Sequence, residues 1–276
     1  MLDFGITTVE EQMLTRLSEG LLASTDDAWL KYINPDPVAW IEEHFRIPET
    51  EDHRIILEPY QKACLREALS TDENGDFKYS LIIWSDIKKS IKSCIAAAVI
   101  EWRAWQLNWG SIKIIANDLK QADSRVAYYL RRSIELNPDM RQFVDIKPSG
   151  YLVKFPNKTF IEALPIDPQG EAGGNDSMIC YTELWGAKNE AAQRMWTETT
   201  VPPNLFGKSF QWVETYAGFS GESPILERLY DQAVVHGEKF EWSNEYDPPL
   251  EVYKNTQGRM FCMWNGTPRM PWQTKN

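Results

Sequence analysis

From Tyr79 onward the chain alternates short, continuous apolar runs with longer stretches of helical periodicity, and this alternation restricts the fold more than any other property of the sequence. Tyr79-Ser-Leu-Ile-Ile-Trp-Ser85 has no polar alternation, so it reads as a strand covered on both faces. Residues 92–107 follow as a helix with Ile95, Ala98, Val99 and Trp102 on one face, stopped by Asn108-Trp109-Gly110. Residues 111–116 form the next strand, and Ala122, Val126, Tyr129 and Leu130 share the face of a helix that runs to Asn137-Pro138. Residues 151–155 and 159–163 flank Pro156-Asn157-Lys158 as a hairpin. Strand 177–181, helix 189–197, strand 209–215 and helix 223–235 complete the series. Such units predict an α/β fold with a mainly parallel sheet covered on both faces and ligand sites at the carboxyl ends of its strands.

The front of the chain differs. Thr7-Thr8-Val9-Glu10-Glu11 opens a helix with Met13, Leu14, Leu17, Leu21 and Leu22 at helical spacing, and Asp36-Pro37 opens a second with Trp40, Ile41 and Phe45 on one face. Residues 1–55 therefore read as a helical N-terminal arm, 56–262 as the main domain, and the aperiodic stretch 263–276 as a linker stump. Hydrophobic residues make up 43% of the 276, enough for a substantial core. No uncharged apolar run approaches the ~20 residues a bilayer requires, so no membrane partner is expected. The N-terminus lacks a secretory pattern. Cys64, Cys94, Cys180 and Cys262 show neither pairing nor metal-binding spacing, which suits reduced thiols in a cytoplasm.

The formal net charge of −11 gives no general attraction for nucleic acid or anionic membrane, so any DNA contact has to be local. A mildly basic stretch holds Arg125, Arg131 and Arg132. The stretch from Gly221 to Glu251 is strongly acidic and reads as a solvated face.

Chemistry concentrates at two strand ends. Trp84-Ser-Asp-Ile-Lys-Lys-Ser-Ile-Lys92-Ser93 joins a strand to a helix as a phosphate-binding loop does, with backbone N–H groups facing phosphates, Lys92 reaching the terminal ones and the Ser93 hydroxyl on Mg²⁺. Ile91 stands where such a loop has glycine, which is a departure. Ser177-Met-Ile-Cys-Tyr-Thr182-Glu183 is an apolar strand that ends in a carboxylate suited to polarising a water. Thr182 occupies the place of the Asp that would join the Mg²⁺ shell.

The order of these parts, with Leu57-Glu-Pro-Tyr-Gln61 before the loop, Ala116-Asn-Asp-Leu-Lys-Gln-Ala122 and Tyr181-Thr-Glu-Leu-Trp185 after it, and Thr215-Tyr-Ala-Gly218 last, resembles the large terminase subunit of tailed bacteriophages. The resemblance runs from about Pro37 to the C-terminus. It implies a three-layer P-loop NTPase of the additional-strand, catalytic-glutamate class. It also implies that Tyr60 and Gln61 contact adenine and that Lys88, Lys89, Ser90, Ile91, Lys92 and Ser93 form the ATP cradle. Ser93 and Thr182 would then serve the Mg²⁺, Glu183 would be the catalytic carboxylate, and Thr215 would belong to the coupling motif.

Terminases commonly carry an arginine shortly before the glutamate strand; residues 168–175 hold none, leaving Arg125, Arg131 or Arg132 as substitutes. The implied activity is Mg-ATP hydrolysis driving translocation of double-stranded DNA, in a homo-oligomeric ring with a portal protein and a small terminase subunit, in the host cytoplasm at the viral procapsid. The chain reads as a motor domain without the family's nuclease domain. Two alternatives stay open, a helicase-like remodeller and a degenerate nucleotide-fold module that docks on DNA or portal without efficient turnover.

Overall fold

Strands β1 (Leu81–Ser85), β2 (Ser111–Ala116), β3 (Asp145–Ile146), β4 (Leu152–Lys154), β5 (Phe160–Pro165), β6 (Met178–Thr182), β7 (Phe210–Thr215), β8 (Glu238–Lys239), β9 (Val252–Asn255) and β10 (Met260–Trp264) join into one sheet. The computed structural model describes residues 25–166, 174–199, 205–218 and 221–273. Strand order across the 10-stranded sheet is β3-β4-β5-β2-β6-β7-β1-β10-β9-β8. From β5 through β2, β6, β7 and β1 to β10 every neighbouring pair is parallel. Antiparallel pairs close both flanks.

Strand β7 lies between β1, which leads into the lysine-rich loop, and β6, which carries Thr182 and Glu183. An additional strand thus separates the two strands whose carboxyl ends carry the candidate residues. Because side chains alternate along a strand, each central strand feeds two cores. Ile82 and Trp84 join one core with Trp212 and Cys180, and Ile83 joins the other with Val213, Tyr181 and Cys262. Trp84 and Trp212 stack at 5.5 Å on the first face.

Helices α1 (Pro37–His44), α2 (Pro59–Ala68), α3 (Lys92–Gln106), α4 (Leu119–Ser124), α5 (Val126–Glu135), α6 (Glu190–Glu198) and α7 (Pro224–Tyr230) lie between and around the strands. The long apolar face of α3 belongs to the first core, and α6 and α7 bury Met195, Ile225 and Leu226 in the second. Helix α1 begins as expected, with the Asp36 carboxylate accepting from the amides of Val38 and Ala39. Trp40, Ile41 and Phe45 are fully buried in the same core as Trp105, so the described part of the arm is continuous with the main body. The helix expected around residues 7–22 lies outside the described residues. Among the described residues no helix is long and apolar enough to cross a membrane. All four cysteines are free and buried.

The end of the chain departs from the sequence reading. Met260-Phe-Cys-Met-Trp264 is a central strand, paired with β1 in parallel and with β9 in antiparallel fashion. Residues 265–273, read as a linker, are fastened to the lysine-rich loop. Asn265 Nδ2 donates to Asp86 Oδ1 at 2.8 Å, Trp272 Nε1 to the carbonyl of Lys89 at 2.7 Å, and Gln273 Nε2 to that of Lys88 at 3.0 Å. Met270 is buried. The stretch lacks periodicity because individual side-chain hydrogen bonds hold it, and those need no repeat.

Candidate nucleotide site

The carboxyl ends of β1, β7 and β6 lie side by side, and the loop between β1 and α3 arches over them. Asp86, the first residue of that loop, is almost fully buried; its Oδ1 accepts from the Ile87 amide at 2.8 Å. Burial pushes its carboxyl up to about 6. Two loop residues take left-handed backbone conformations, Lys89 with φ 65° and Ile91 with φ 61°. A β-branched side chain rarely adopts such a φ, so the place where phosphate loops carry glycine requires the glycine conformation here too. Ile91 also precedes α3 without any side-chain cap.

Beneath the loop is a cleft of about 450 Å³ lined by Lys88, Lys89 and Lys92 from the loop and helix start, Arg125 from the corner between α4 and α5, and Glu183, Trp185 and Tyr216 from the strand ends. Four cationic side chains around one such volume suit a polyphosphate. Lys92 Nζ, itself nearly buried, lies 3.9 Å from Glu183 Oε1 and 3.7 Å from Glu214 Oε1. Tyr216 offers its ring to Lys88 at 5.5 Å and to Lys92 at 5.7 Å.

Glu183 leaves the end of β6 with φ 56° and is almost fully buried. Its Oε1 accepts from Arg125 Nη1 and its Oε2 from Trp185 Nε1. Burial, with the nearby Glu214 carboxylate adding to it, raises the Glu183 pKa above the usual range. Such an environment suits a carboxylate that exchanges protons with a bound water.

Ser93 and Thr182 meet on one group. Ser93 Oγ donates to Glu214 Oε1 at 2.8 Å, and Thr182 Oγ1 donates to Glu214 Oε2 at 2.7 Å. These hydroxyl and carboxylate oxygens form the hard donor set that Mg²⁺ takes beside phosphates. Among the described residues no cluster of three or more His, Cys, Asp or Glu side chains forms an all-protein metal cage.

Thr215 is fully buried; its hydroxyl accepts from the Trp185 amide at 3.2 Å and donates to the Tyr216 carbonyl at 3.0 Å, tying the end of β7 to the turn after Glu183. Tyr60 and Gln61 are less available than the sequence reading expects. The Gln61 side chain is buried: its Oε1 accepts from the Glu58 amide in a capping box at the start of α2, and its Nε2 reaches Tyr60 Oη at 3.3 Å and the Ser90 carbonyl at 3.4 Å. In this arrangement the pair braces the loop from behind, and an adenine contact through Gln61 needs these bonds to open. Ser90 is buried as well.

Of the three candidate arginines only Arg125 reaches the cleft. Arg131 pairs with Asp123 at 2.6 Å and Arg132 with Glu135 at 2.6 Å. Glu214, Trp185, Tyr216 and Asp86 are site residues that the sequence reading missed. A carboxylate inside the apolar run Phe210-Gln-Trp-Val-Glu-Thr215 was the available signal for Glu214, because a charge within a covered strand needs a partner.

No protein-family model and no curated protein matches the chain. Among solved structures, the large terminase of bacteriophage HK97 superposes with a TM-score of 0.61 at 16% identity, over 85% of this chain and 44% of that one. The ATPase domain of the large terminase of Thermus phage P74-26 aligns with a TM-score of 0.41 at 14% identity, over 67% of this chain and 78% of that one. The large terminase of another thermophilic bacteriophage, in complex with ADP, gives 0.37 at 11%, over 49% and 33%. The chain thus shares a mixed α/β fold with the HK97 large terminase. It spans under half the length of that protein.

Proposed function

We propose that this chain is the ATP-hydrolysing motor domain of a phage-type large terminase, which uses Mg-ATP hydrolysis to move double-stranded DNA. The observation that carries this reading is the meeting of Lys92, Glu183 and Arg125 in one cationic cleft at the carboxyl ends of parallel strands. In it Lys88, Lys89 and Lys92 bind the polyphosphate, and Ser93 with Thr182 and Glu214 faces the cation side. Bound Mg²⁺ supplies neutralisation of charge on the phosphate oxygens. Glu183 orients a water and holds its proton, once Arg125 turns from the carboxylate to the phosphate. Trp185, bonded to both Glu183 and Thr215, links the state of the carboxylate to the end of β7.

The wider setting extends the same proposal. The motor acts as a homo-oligomeric ring on a portal protein with a small terminase subunit, at the procapsid in the host cytoplasm. One specific observation favours the alternative of a docking module without efficient turnover, namely the left-handed Ile91 in the cradle. The two readings separate on Glu183→Gln and Lys92→Ala. The motor reading expects Glu183→Gln to bind ATP and not hydrolyse it, since the amide keeps the shape but cannot polarise water. It expects Lys92→Ala to lose binding or turnover. Unchanged turnover in Glu183→Gln removes this carboxylate from the reaction.

A further inference from the structure

Glu214 is the least expected member of the site. It is 0% exposed, stands on the strand between β1 and β6, and lies opposite Thr182 in the β6–β7 register. Burying a carboxylate costs several kcal/mol unless it is paired and hydrogen-bonded. The partners here are the two hydroxyls expected at the metal and the lysine expected at the phosphates. A carboxylate kept for packing alone has no reason to collect these three.

The direction of the bonds matters more than their number. Both hydroxyls donate to Glu214, so each spends its proton on the carboxylate and keeps its lone pairs for an electrophile. Strand β6 offers at this level only Thr182, whose neutral hydroxyl gives a divalent cation no charge. Register pairing puts the missing carboxylate one strand away at the same height.

We infer that Glu214 is the positioning carboxylate of the cation side of the site, supplying from β7 the negative charge that β6 lacks and aiming the Ser93 hydroxyl toward the nucleotide's divalent ion. The inference rests on the nucleotide-hydrolase reading.

The test is the affinity for a fluorescent ATP analogue, measured by anisotropy with Mg²⁺, with Mn²⁺ and with EDTA, on the full chain and without reference to turnover. In the wild type, divalent ion is expected to tighten binding roughly tenfold or more. Glu214→Gln should lose most of that enhancement while its affinity in EDTA stays within about threefold, because Lys92 still meets the phosphates. The double variant Thr182→Asp/Glu214→Thr restores one carboxylate and one hydroxyl at facing positions and should recover the enhancement. It also keeps the test usable if Glu214→Gln fails to fold.

A double variant that folds, binds in EDTA and gains nothing from divalent ion overturns the inference, as does full enhancement in Glu214→Gln. A wild type that binds the analogue equally well with and without divalent ion overturns it while leaving nucleotide binding intact. A wild type that binds in neither condition removes the hydrolase reading itself and the inference with it.

Discussion

Arg125 and Glu183, 58 residues apart in sequence, form an ion pair at the mouth of the cleft, with the guanidinium Nη1 on Oε1 of the carboxylate. The arginine side chain is 42% exposed and the glutamate side chain 3%, so the arginine is the partner free to move. An arginine that can exchange a carboxylate for a transferring phosphoryl group stabilises transition-state charge within its own subunit. Arg125→Ala is therefore expected to lower kcat roughly 100-fold, with a much smaller change in nucleotide affinity. Arg125→Lys should recover little of it, because an ammonium lacks the planar fork. Steady-state turnover together with nucleotide titration checks this, and a faster Arg125→Ala enzyme contradicts it.

Ile91 holds φ 61° and ψ 18°, a conformation that costs an L-residue about 1–2 kcal/mol. Its side chain also packs against the first core, so replacing it removes contacts worth about 1 kcal/mol. Ile91→Gly should thus leave thermal stability nearly unchanged while improving nucleotide affinity, since the amide behind a bare Cα can approach an oxyanion more closely. Melting curves and nucleotide titrations on the same preparation separate the two effects. Weaker binding by Ile91→Gly would show that the side chain, not the backbone, shapes the cradle.

Glu101, fully buried on α3, has its pKa raised from 4.5 to about 8 by burial, with Ser133 and Arg46 offsetting part of the rise. The folded state therefore holds a proton that the unfolded chain releases near the ordinary value. Stability falls as pH climbs through the window from about 4.5 to about 8, by up to about 1.4 kcal/mol per unit. Asp86 acts with the same sign over a lower window, from 3.8 to about 6. Glu101→Gln is expected to abolish the decline between about pH 6.5 and about pH 8, where Asp86 has already titrated. Denaturant unfolding at several pH values reads the difference, and a wild type and variant with parallel profiles would place no titration at Glu101.

DNA binding by this domain is expected to be weak, indifferent to sequence and steeply salt dependent. The chain carries a net charge of −11, and the basic patch named in the sequence is already paired, with Arg131 on Asp123 and Arg132 on Glu135. Affinity should fall roughly tenfold or more between about 50 and about 200 mM salt. Arg132→Ala should reduce the slope only slightly. Sequence preference in a competition assay would argue against a motor that tracks the backbone.

Much of the architecture was legible because the apolar runs were continuous and well separated: 81–85, 111–116, 178–182 and 210–215 are strands within a residue or two of the expected limits. Strand β10 was not, although Met260-Phe-Cys-Met-Trp264 is wholly apolar, because Met and Cys carry little strand preference and the run follows a long acidic stretch. That Lys92, Ser93 and Glu183 come close together could be read because each stands at or just beyond a strand end or helix start. Glu214 carried a signal, as a charge inside an apolar run, but its partners did not, since only the register between β6 and β7 sets it opposite Thr182. Arg125 could not be told apart from Arg131 and Arg132 for a similar reason. It occupies a break between two helices, with φ −122° and ψ −100°, and nothing local announces that this corner faces a distant glutamate.

The bonds from Asn265, Trp272 and Gln273 to Asp86, Lys89 and Lys88 span 179, 183 and 185 residues. Strand β1, which leads into the same loop, is flanked by β7 and β10, both made long after it. A nascent chain that has emerged as far as Ser93 thus contains every residue of the loop and, of the neighbours that hold it, only the Tyr60–Gln61 pair. Contacts of such long sequence separation form late, after the loop-closure entropy between them has been overcome. The lysine-rich loop is thus complete in sequence well before the distant partners that fix its shape have been made.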